Sequence, residues 1–342
     1  MKNRWGLQLV QWYLKNQRPL PWRKNQDPYK ILVSEIMLQQ TQVIKVIPYF
    51  ERFVSAFPNF ESLAKTSEED VLKLWSGLGY YRRARNLKKA SSIIVQKHGG
   101  KMPENFEDIL NLPGIGDYTA SAISSIALEK PFIVFDGNVL RITSRIFGIA
   151  TDLDKKETQI SIKECLKKQL GNEKPSIFNQ ALMELGALIC TPSSPLCLLC
   201  PVQNYCYAFE NNKTEELPPP KKKQTTEIQH KVAAVISQEN KWLLTQKKQS
   251  KILEDLWIFP EIHKEQKESF KKNHGLELTL GKKIGFVEHH ITYRRMKYEI
   301  RQGFLKNTVA HNLNLQWFSK RDLEELPHSS LTAKIMNLVQ GR

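Results

Sequence analysis

Four of the five cysteines fall within seventeen positions, as Cys190, Cys197, Cys200 and Cys206 in CTPSSPLCLLCPVQNYC. Sulfurs spaced this closely suit a pair of disulfides, a zinc site or an iron–sulfur cluster. The N-terminal MKNRWGLQLVQWYLKN mixes charges and amides into its apolar positions, and no apolar run approaches the ~18 residues of a membrane span. An intracellular, cytoplasmic protein is therefore expected, nucleoid-associated if bacterial, and a reducing compartment favours thiolate ligands over disulfides. Zinc sites usually pair two short C-x-x-C elements across a longer span, whereas one compact segment supplies every ligand here. Four thiolates around a 4Fe-4S cube is the better reading, with structural zinc left open. Cys165, isolated at the apolar edge of a helical pattern, reads as a small buried hydrophobe.

Two carboxyls carry a second kind of chemistry. Glu35, in PYKILVSEIMLQQTQ, lies three or four positions from Ile31, Leu32 and Leu38, so a helix would carry it on or beside an apolar face. Burial there raises a carboxyl pKa and keeps the group protonated. Asp136, in FDGNVLRITSRIF, stands before a Gly-Asn turn that opens a helix, where nearby N–H groups and the helix dipole would keep it ionised. One carboxyl pushed toward the acid and another toward the anion is the arrangement that glycosidic bond cleavage needs. An exposed helical glutamate and a simple N-cap are the plain structural alternatives.

The elements that must position these residues are legible around them. In NLPGIGDYTASAI, Gly114 and Gly116 permit a tight turn between two helices and leave N–H groups at the second helix's start free to hold a phosphate. Such a hairpin would grip DNA without reading its sequence, although an ordinary glycine-rich helix connection has the same pattern. The net charge of +16 points to a polyanion, of which nucleic acid is the commonest. Apolar spacing is helical from Trp5 to Cys190. The stretch NNKTEELPPPKKKQTTEIQ then combines prolines with a lysine run and no apolar period, which marks an exposed linker. Beyond it, HKVAAVIS and KWLLTQK flank a turn, GKKIGFVEHHITYRRMKYEIRQGF alternates in places, and SSLTAKIMNLV is helical. The expected architecture is an all-α domain over 1–212, a linker over 213–227 and an α+β domain over 228–342.

Taken in order, SEIMLQQTQV, GLGYYRRARNL, LPGIGDYTASAI, FDGNV, FNQALMELGALIC and the cysteine loop closely resemble MutY-type adenine DNA glycosylases of the helix-hairpin-helix superfamily. The resemblance spans almost the whole chain. It implies an endonuclease III-like helical core with a 4Fe-4S cluster on the four cysteines, followed by a Nudix-like domain. It implies a base excision repair enzyme that flips adenine out of duplex DNA and removes it where it is mispaired with 8-oxoguanine or guanine. Glu35 would protonate adenine at N7, and anionic Asp136 would stabilise the oxocarbenium-like sugar electrostatically or by transient covalent attachment. By the same resemblance Tyr118 and Asn138 orient the acids and the water, Trp22, Arg23 and Gln180 line the adenine pocket, and Gln40, Gln42 and Tyr80 wedge the duplex. Trp22 and Tyr80 are also core-type residues in their own right. The run Arg82, Arg83, Arg85, Lys88 and Lys89 suits either phosphate contact or a solvated helix face. A monomer is expected.

Position 118 separates the nearest rival. Endonuclease III-like enzymes carry lysine there, whose amine attacks the sugar and leads to strand cleavage; tyrosine cannot form a Schiff base, so a monofunctional enzyme is expected. A non-catalytic DNA-binding protein, the other rival, would need neither Glu35 nor Asp136. The second domain lacks the REUxEE pattern of diphosphate hydrolysis and should bind instead. Where the family commonly shows Phe-Ser-His in the loop that probes the damaged base, this chain has Ile291, Thr292 and Tyr293, so that Thr292 would stand in for the serine.

Overall fold

The computed structural model describes residues 4–220, 227–246, 256–262, 276–291, 294–306, 314–325 and 329–340. The chain divides into two compact units, one of Met1–Leu74 with Tyr80–Lys221 and the other of Trp75–Gly79 with Lys222–Arg342.

The first unit is helical. In order along the chain it contains α1 (Gly6–Asn16), α2 (Pro28–Leu38), α3 (Val43–Ala56), α4 (Phe60–Lys65), α5 (Glu68–Trp75), α6 (Arg82–His98), α7 (Phe106–Leu110), α8 (Asp117–Ala122), α9 (Gly137–Phe147), α10 (Lys156–Leu170), α11 (Pro175–Leu188) and α12 (Tyr207–Glu210). Helix α2 starts where its sequence says it should: Asp27 accepts the Tyr29 N–H at 3.0 Å and Pro28 occupies the first turn. Tyr29 and every residue from Ile31 to Met37 are buried, which makes α2 a central helix enclosed on all sides. That enclosure carries Glu35 inside with its neighbours. Helix α9 is capped at both ends, by Asp136 and by Gly148 in the left-handed conformation at φ 68°. Its Ile142 and Ile146 pack with Trp5, Leu9, Leu166 and Phe178 into one core shared by α1, α9, α10 and α11. Each such side chain contributes roughly 1.5–3 kcal/mol by leaving water.

The second unit holds two four-stranded sheets. In one, β1 (Glu227–Val235) runs parallel to β7 (Arg294–Leu305), β6 (Leu278–Ile291) pairs antiparallel with β7, and β5 (Glu261–Ile262) closes the other edge. In the other, β3 (Lys241–Gln246) pairs with β2 (Ser237–Gln238), β4 (Trp257–Ile258) and β8 (Leu315–Ser319). The β2–β3 turn has Glu239 and Asn240 at φ 50° and 59°, the pair of positive angles that a two-residue hairpin requires. Met296, Tyr298 and Ile300 alternate inward along β7 and meet Leu331 and Ile335 of the closing helix α14 (Ser330–Gln340), which follows α13 (Lys320–Glu325).

The proline-rich stretch read as exposed linker is packed over its first part. Leu217 is buried at 5% exposure, and its carbonyl accepts a hydrogen bond from Arg145 Nε at 2.8 Å. The sequence pattern gives three prolines and charges but not the buried arginine that waits for this segment.

Candidate active site

Glu35, Asp136, Tyr118, Asn138, Trp22, Arg23 and Gln180, read from separate motifs, all line one cleft of about 250 Å³ in the first unit. They come from the C-terminal part of α2, the N-terminal ends of α8 and α9, a single 3₁₀ turn at Pro21–Arg23, and α11.

Glu35 is 6% exposed, and its Oε2 is buried without a hydrogen-bond partner. Burial pushes its carboxyl up to about 7; Asp136 adds to the rise, while the Tyr118 hydroxyl and the Arg23 guanidinium pull it back. Burial also raises the Tyr118 phenol well above its ordinary value, so it stays a neutral donor. Asp136 has the opposite surroundings. Its Oδ1 accepts the Val139 N–H at 2.7 Å as the N-cap of α9, and its Oδ2 accepts from Asn138 Nδ2 at 2.8 Å. The Asn138 amide is oriented in turn by Arg141, whose Nη2 donates to Asn138 Oδ1 at 2.9 Å and to the Gly186 carbonyl at 2.9 Å. Arg141 Nε donates to the Cys190 carbonyl at 2.8 Å, so a continuous line of hydrogen bonds joins Asp136 to the start of the cysteine loop.

On the far wall, Trp22 is buried at 8% exposure with its ring edge-on to Phe50, so it is both core and lining. Gln180 accepts from the Tyr13 hydroxyl at 3.2 Å and donates to the Ser176 carbonyl at 3.0 Å; one N–H and one lone pair are left for a ligand. Arg23 donates to Glu184 Oε2 at 2.9 Å, and Arg18 grips the same carboxylate with Nε and Nη2 at 2.9 and 2.8 Å. Burial works against the Glu184 charge, but hydrogen bonds from Arg18 and Arg23 outweigh it and hold the carboxyl down at about 2. Glu184, fully buried and lining the cleft, is a site residue that the sequence reading missed, together with Arg18. A signal existed: Glu184 sits one turn after Gln180 in FNQALMELGALIC, an acid in an otherwise apolar helix.

The remaining expected residues lie outside the cleft. Gln40 and Gln42 are exposed on the α2–α3 connection, next to Thr41 and to Val43 at the start of α3, which line the cleft, and Tyr80 is 51% exposed. Gly114 turns the α7–α8 hairpin at φ 80°, where a Cβ would collide with Asn86 at 2.7 Å. At Gly116, the N-cap of α8, a Cβ would meet nothing within 4 Å, so the space there is open. Thr292 and Tyr293 lie outside the described residues.

The four loop cysteines line one cavity walled by Ile142, Ile146 and Val202. Arg145, 2% exposed, threads the loop: Nη1 reaches Cys190 Sγ at 3.4 Å and the Thr191 carbonyl at 2.7 Å, and Nη2 the Pro192 carbonyl at 3.0 Å.

Three family profiles match the chain: a HhH-GPD superfamily base excision DNA repair protein over residues 33–168, the iron-sulfur binding domain of endonuclease III over 190–206, and a NUDIX domain over 231–338. The adenine DNA glycosylase of Buchnera aphidicola subsp. Schizaphis graminum is 34% identical over 336 residues, covering 96% of this chain and 97% of its own. The chain belongs to the adenine DNA glycosylase family. The Mus musculus member is 43% identical over 218 residues, 61% of this chain and 42% of the mouse protein. Among solved structures, a thermostable thymine-DNA glycosylase covers 60% of this chain and 95% of its own at 29% identity and a TM-score of 0.56. An endonuclease III–DNA complex, at 21% identity and a TM-score of 0.51, shares the helical fold.

The cofactor of this glycosylase is a 4Fe-4S cluster, and the loop's own chemistry fits it. Burial pushes the Cys200 thiol up to about 12 and raises Cys197 and Cys206, so these sulfurs need a cationic metal core to be thiolates. The four cysteines surround one cavity, and a cube takes one thiolate per iron.

Proposed function

We propose that this glycosylase removes adenine mispaired with 8-oxoguanine or guanine from duplex DNA, hydrolysing the N-glycosidic bond without cutting the strand. The observation that carries the reading is the buried, unpartnered Glu35 oxygen facing the same cleft as the doubly hydrogen-bonded Asp136. The flipped adenine enters the cleft and Glu35 gives its proton to N7. The C1′–N9 bond then breaks with its electron pair leaving on the base, while the Asp136 carboxylate faces the cationic sugar. Water adds to C1′ and its released proton restores the acid. Asn138 holds Asp136 in place, and Arg23, Glu184 and Gln180 form the polar wall against the base. Gln40, Gln42 and Tyr80 enter the duplex where the adenine leaves it, and the Gly114–Gly116 turn holds a phosphate. Cys190, Cys197, Cys200 and Cys206 hold the cluster, whose part is to organise the loop that Arg141 and Arg145 grip. Residues 228–342 read the base opposite, with Thr292 and Tyr293 in the probing loop.

A lyase mechanism finds no support in this cleft, where no lysine is among the lining residues. The protein is proposed to act as a monomer inside the cell; among the described residues no helix is long and apolar enough to cross a membrane. Single-turnover adenine release from matched duplexes carrying 8-oxoguanine, guanine or thymine opposite the adenine tests the reading. Release must be fastest opposite 8-oxoguanine and guanine, and must leave an intact strand with a base-free site. Borohydride trapping of a covalent DNA adduct at lyase rates would overturn it.

A further inference from the structure

The basic run that opens α6 is not one solvated stripe. Arg82 and Lys89 are exposed and Arg85 pairs with Glu68 at 2.8 Å, but Arg83 turns inward and is 9% exposed. Its Nη1 donates to the carbonyls of Ile36 at 3.0 Å, Met37 at 2.9 Å and Gln39, and its Nη2 donates to Thr41 Oγ1 at 3.2 Å. Ile36 and Met37 belong to the last turn of α2, whose carbonyls have no partner within their own helix. Arg83 is therefore a C-terminal cap supplied to α2 by another helix. Burial lowers its pKa to about 10, which leaves it charged at neutral pH. The other side of the same guanidinium stands over the Tyr80 ring, 5.2 Å from its centroid.

Two residues beside these contacts, Gln40 at φ 54° and Tyr80 at φ 51°, have left-handed backbones. A residue with a side chain holds that conformation only where its surroundings over-determine it. Both are exposed, and both are the residues assigned above to wedging the duplex. We infer that Arg83 is the positioning residue that fixes this wedge, holding Gln40 and Tyr80 in place and tying both to the end of α2 that carries Glu35. Load placed on the wedge by the duplex then reaches carbonyls one and two residues beyond the catalytic acid. The planar fork is essential, because a lysine ammonium keeps the charge but cannot span Ile36, Gln39 and Thr41 together.

The inference rests on the wedge reading of Gln40 and Tyr80, and the test separates the two. Full-length holoenzyme carrying Arg83→Lys or Arg83→Met is compared with Tyr80→Ala and Gln40→Ala. The measurements are duplex binding, thermal midpoint with cluster absorbance, single-turnover adenine release, and base extrusion read by 2-aminopurine fluorescence beside the target adenine. Both Arg83 variants should fold and bind duplex as the parent does, with extrusion and release reduced together by about 10- to 100-fold. When the target adenine faces an abasic site, extrusion costs less and release should return toward the parent rate, a rescue that a merely structural role would not give. Parent-like extrusion in Arg83→Lys, or an equal loss on both substrates, overturns the inference. So does failure of both Arg83 variants to fold, since that assigns the residue to stability. Unchanged extrusion in Tyr80→Ala and Gln40→Ala overturns the wedge reading itself.

Discussion

The role proposed for the Glu35 carboxyl conflicts with its surroundings, because a buried acid that gives up a proton leaves an anion where none is welcome. Glu35→Gln removes the proton and little else, so adenine release should fall to background while duplex binding survives; near-normal release would sink the assignment. Release by the parent should decline as pH rises through about 7, where the carboxyl ionises. The same shift acts on stability. The carboxyl titrates near 4.5 when unfolded and at about 7 when folded, so between those values the folded chain binds more protons and loses stability as pH rises. The glutamine variant escapes that loss. Its melting temperature relative to the parent should climb between pH 5 and pH 8, and a constant difference across that range would show that the carboxyl is not buried as described.

Elements decide what a single residue can do, and α9 illustrates it: one helix supplies Asp136 as its cap, Asn138 to hold it, and Arg141 and Arg145 to hold the cysteine loop. Arg141→Met should cut the release rate by about tenfold or more with little change in duplex affinity, because the Asn138 amide loses its charged partner. An unchanged rate would mean the line from Cys190 to Asp136 is only scaffolding. Cys197→Ser, by contrast, should cost cluster absorbance and DNA affinity together, as the loop folds around its metal. The sequence exposes the parts of this arrangement that are local. An N-cap before a helix, a carboxyl at helical spacing from leucines and isoleucine, and four cysteines in one segment are patterns of neighbours along the chain. The clamps on Glu184 and the α2 carbonyls are not local. Arg18 and Glu184 stand 166 residues apart and Arg83 and Ile36 are 47 apart. A basic run looks the same in a sequence whether its arginine meets a phosphate or a helix end. The linker misleads for the same reason, since its acceptor role for Arg145 depends on a helix more than seventy residues earlier.

At the scale of the molecule, each unit carries its own hydrophobic core, one built around Trp5, Ile142 and Phe178 and the other around Leu244, Tyr298 and Ile335. Both acids and the whole cysteine loop lie in the first. Shortened chains should therefore keep the chemistry, but where the cut falls matters. Ending the chain at Asn212 removes Leu217, strands the Arg145 Nε that donates to its carbonyl, and should cost roughly 1–3 kcal/mol along with part of the cluster, whereas ending it at 225 keeps that contact. Equal melting temperatures and iron content for the two lengths would show that the segment is a linker after all. In the longer of the two chains, Glu35 and Asp136 should still release adenine, while the preference for 8-oxoguanine over guanine should narrow, because the unit proposed to read the opposite base is gone. Basic residues leave with it, so duplex affinity should fall and its dependence on salt should flatten. The comparison must be made at one salt concentration by single-turnover kinetics, where weaker binding can be saturated out and the intrinsic preference read directly. An 8-oxoguanine preference equal to that of the full chain would place the reading of the lesion in the helical unit.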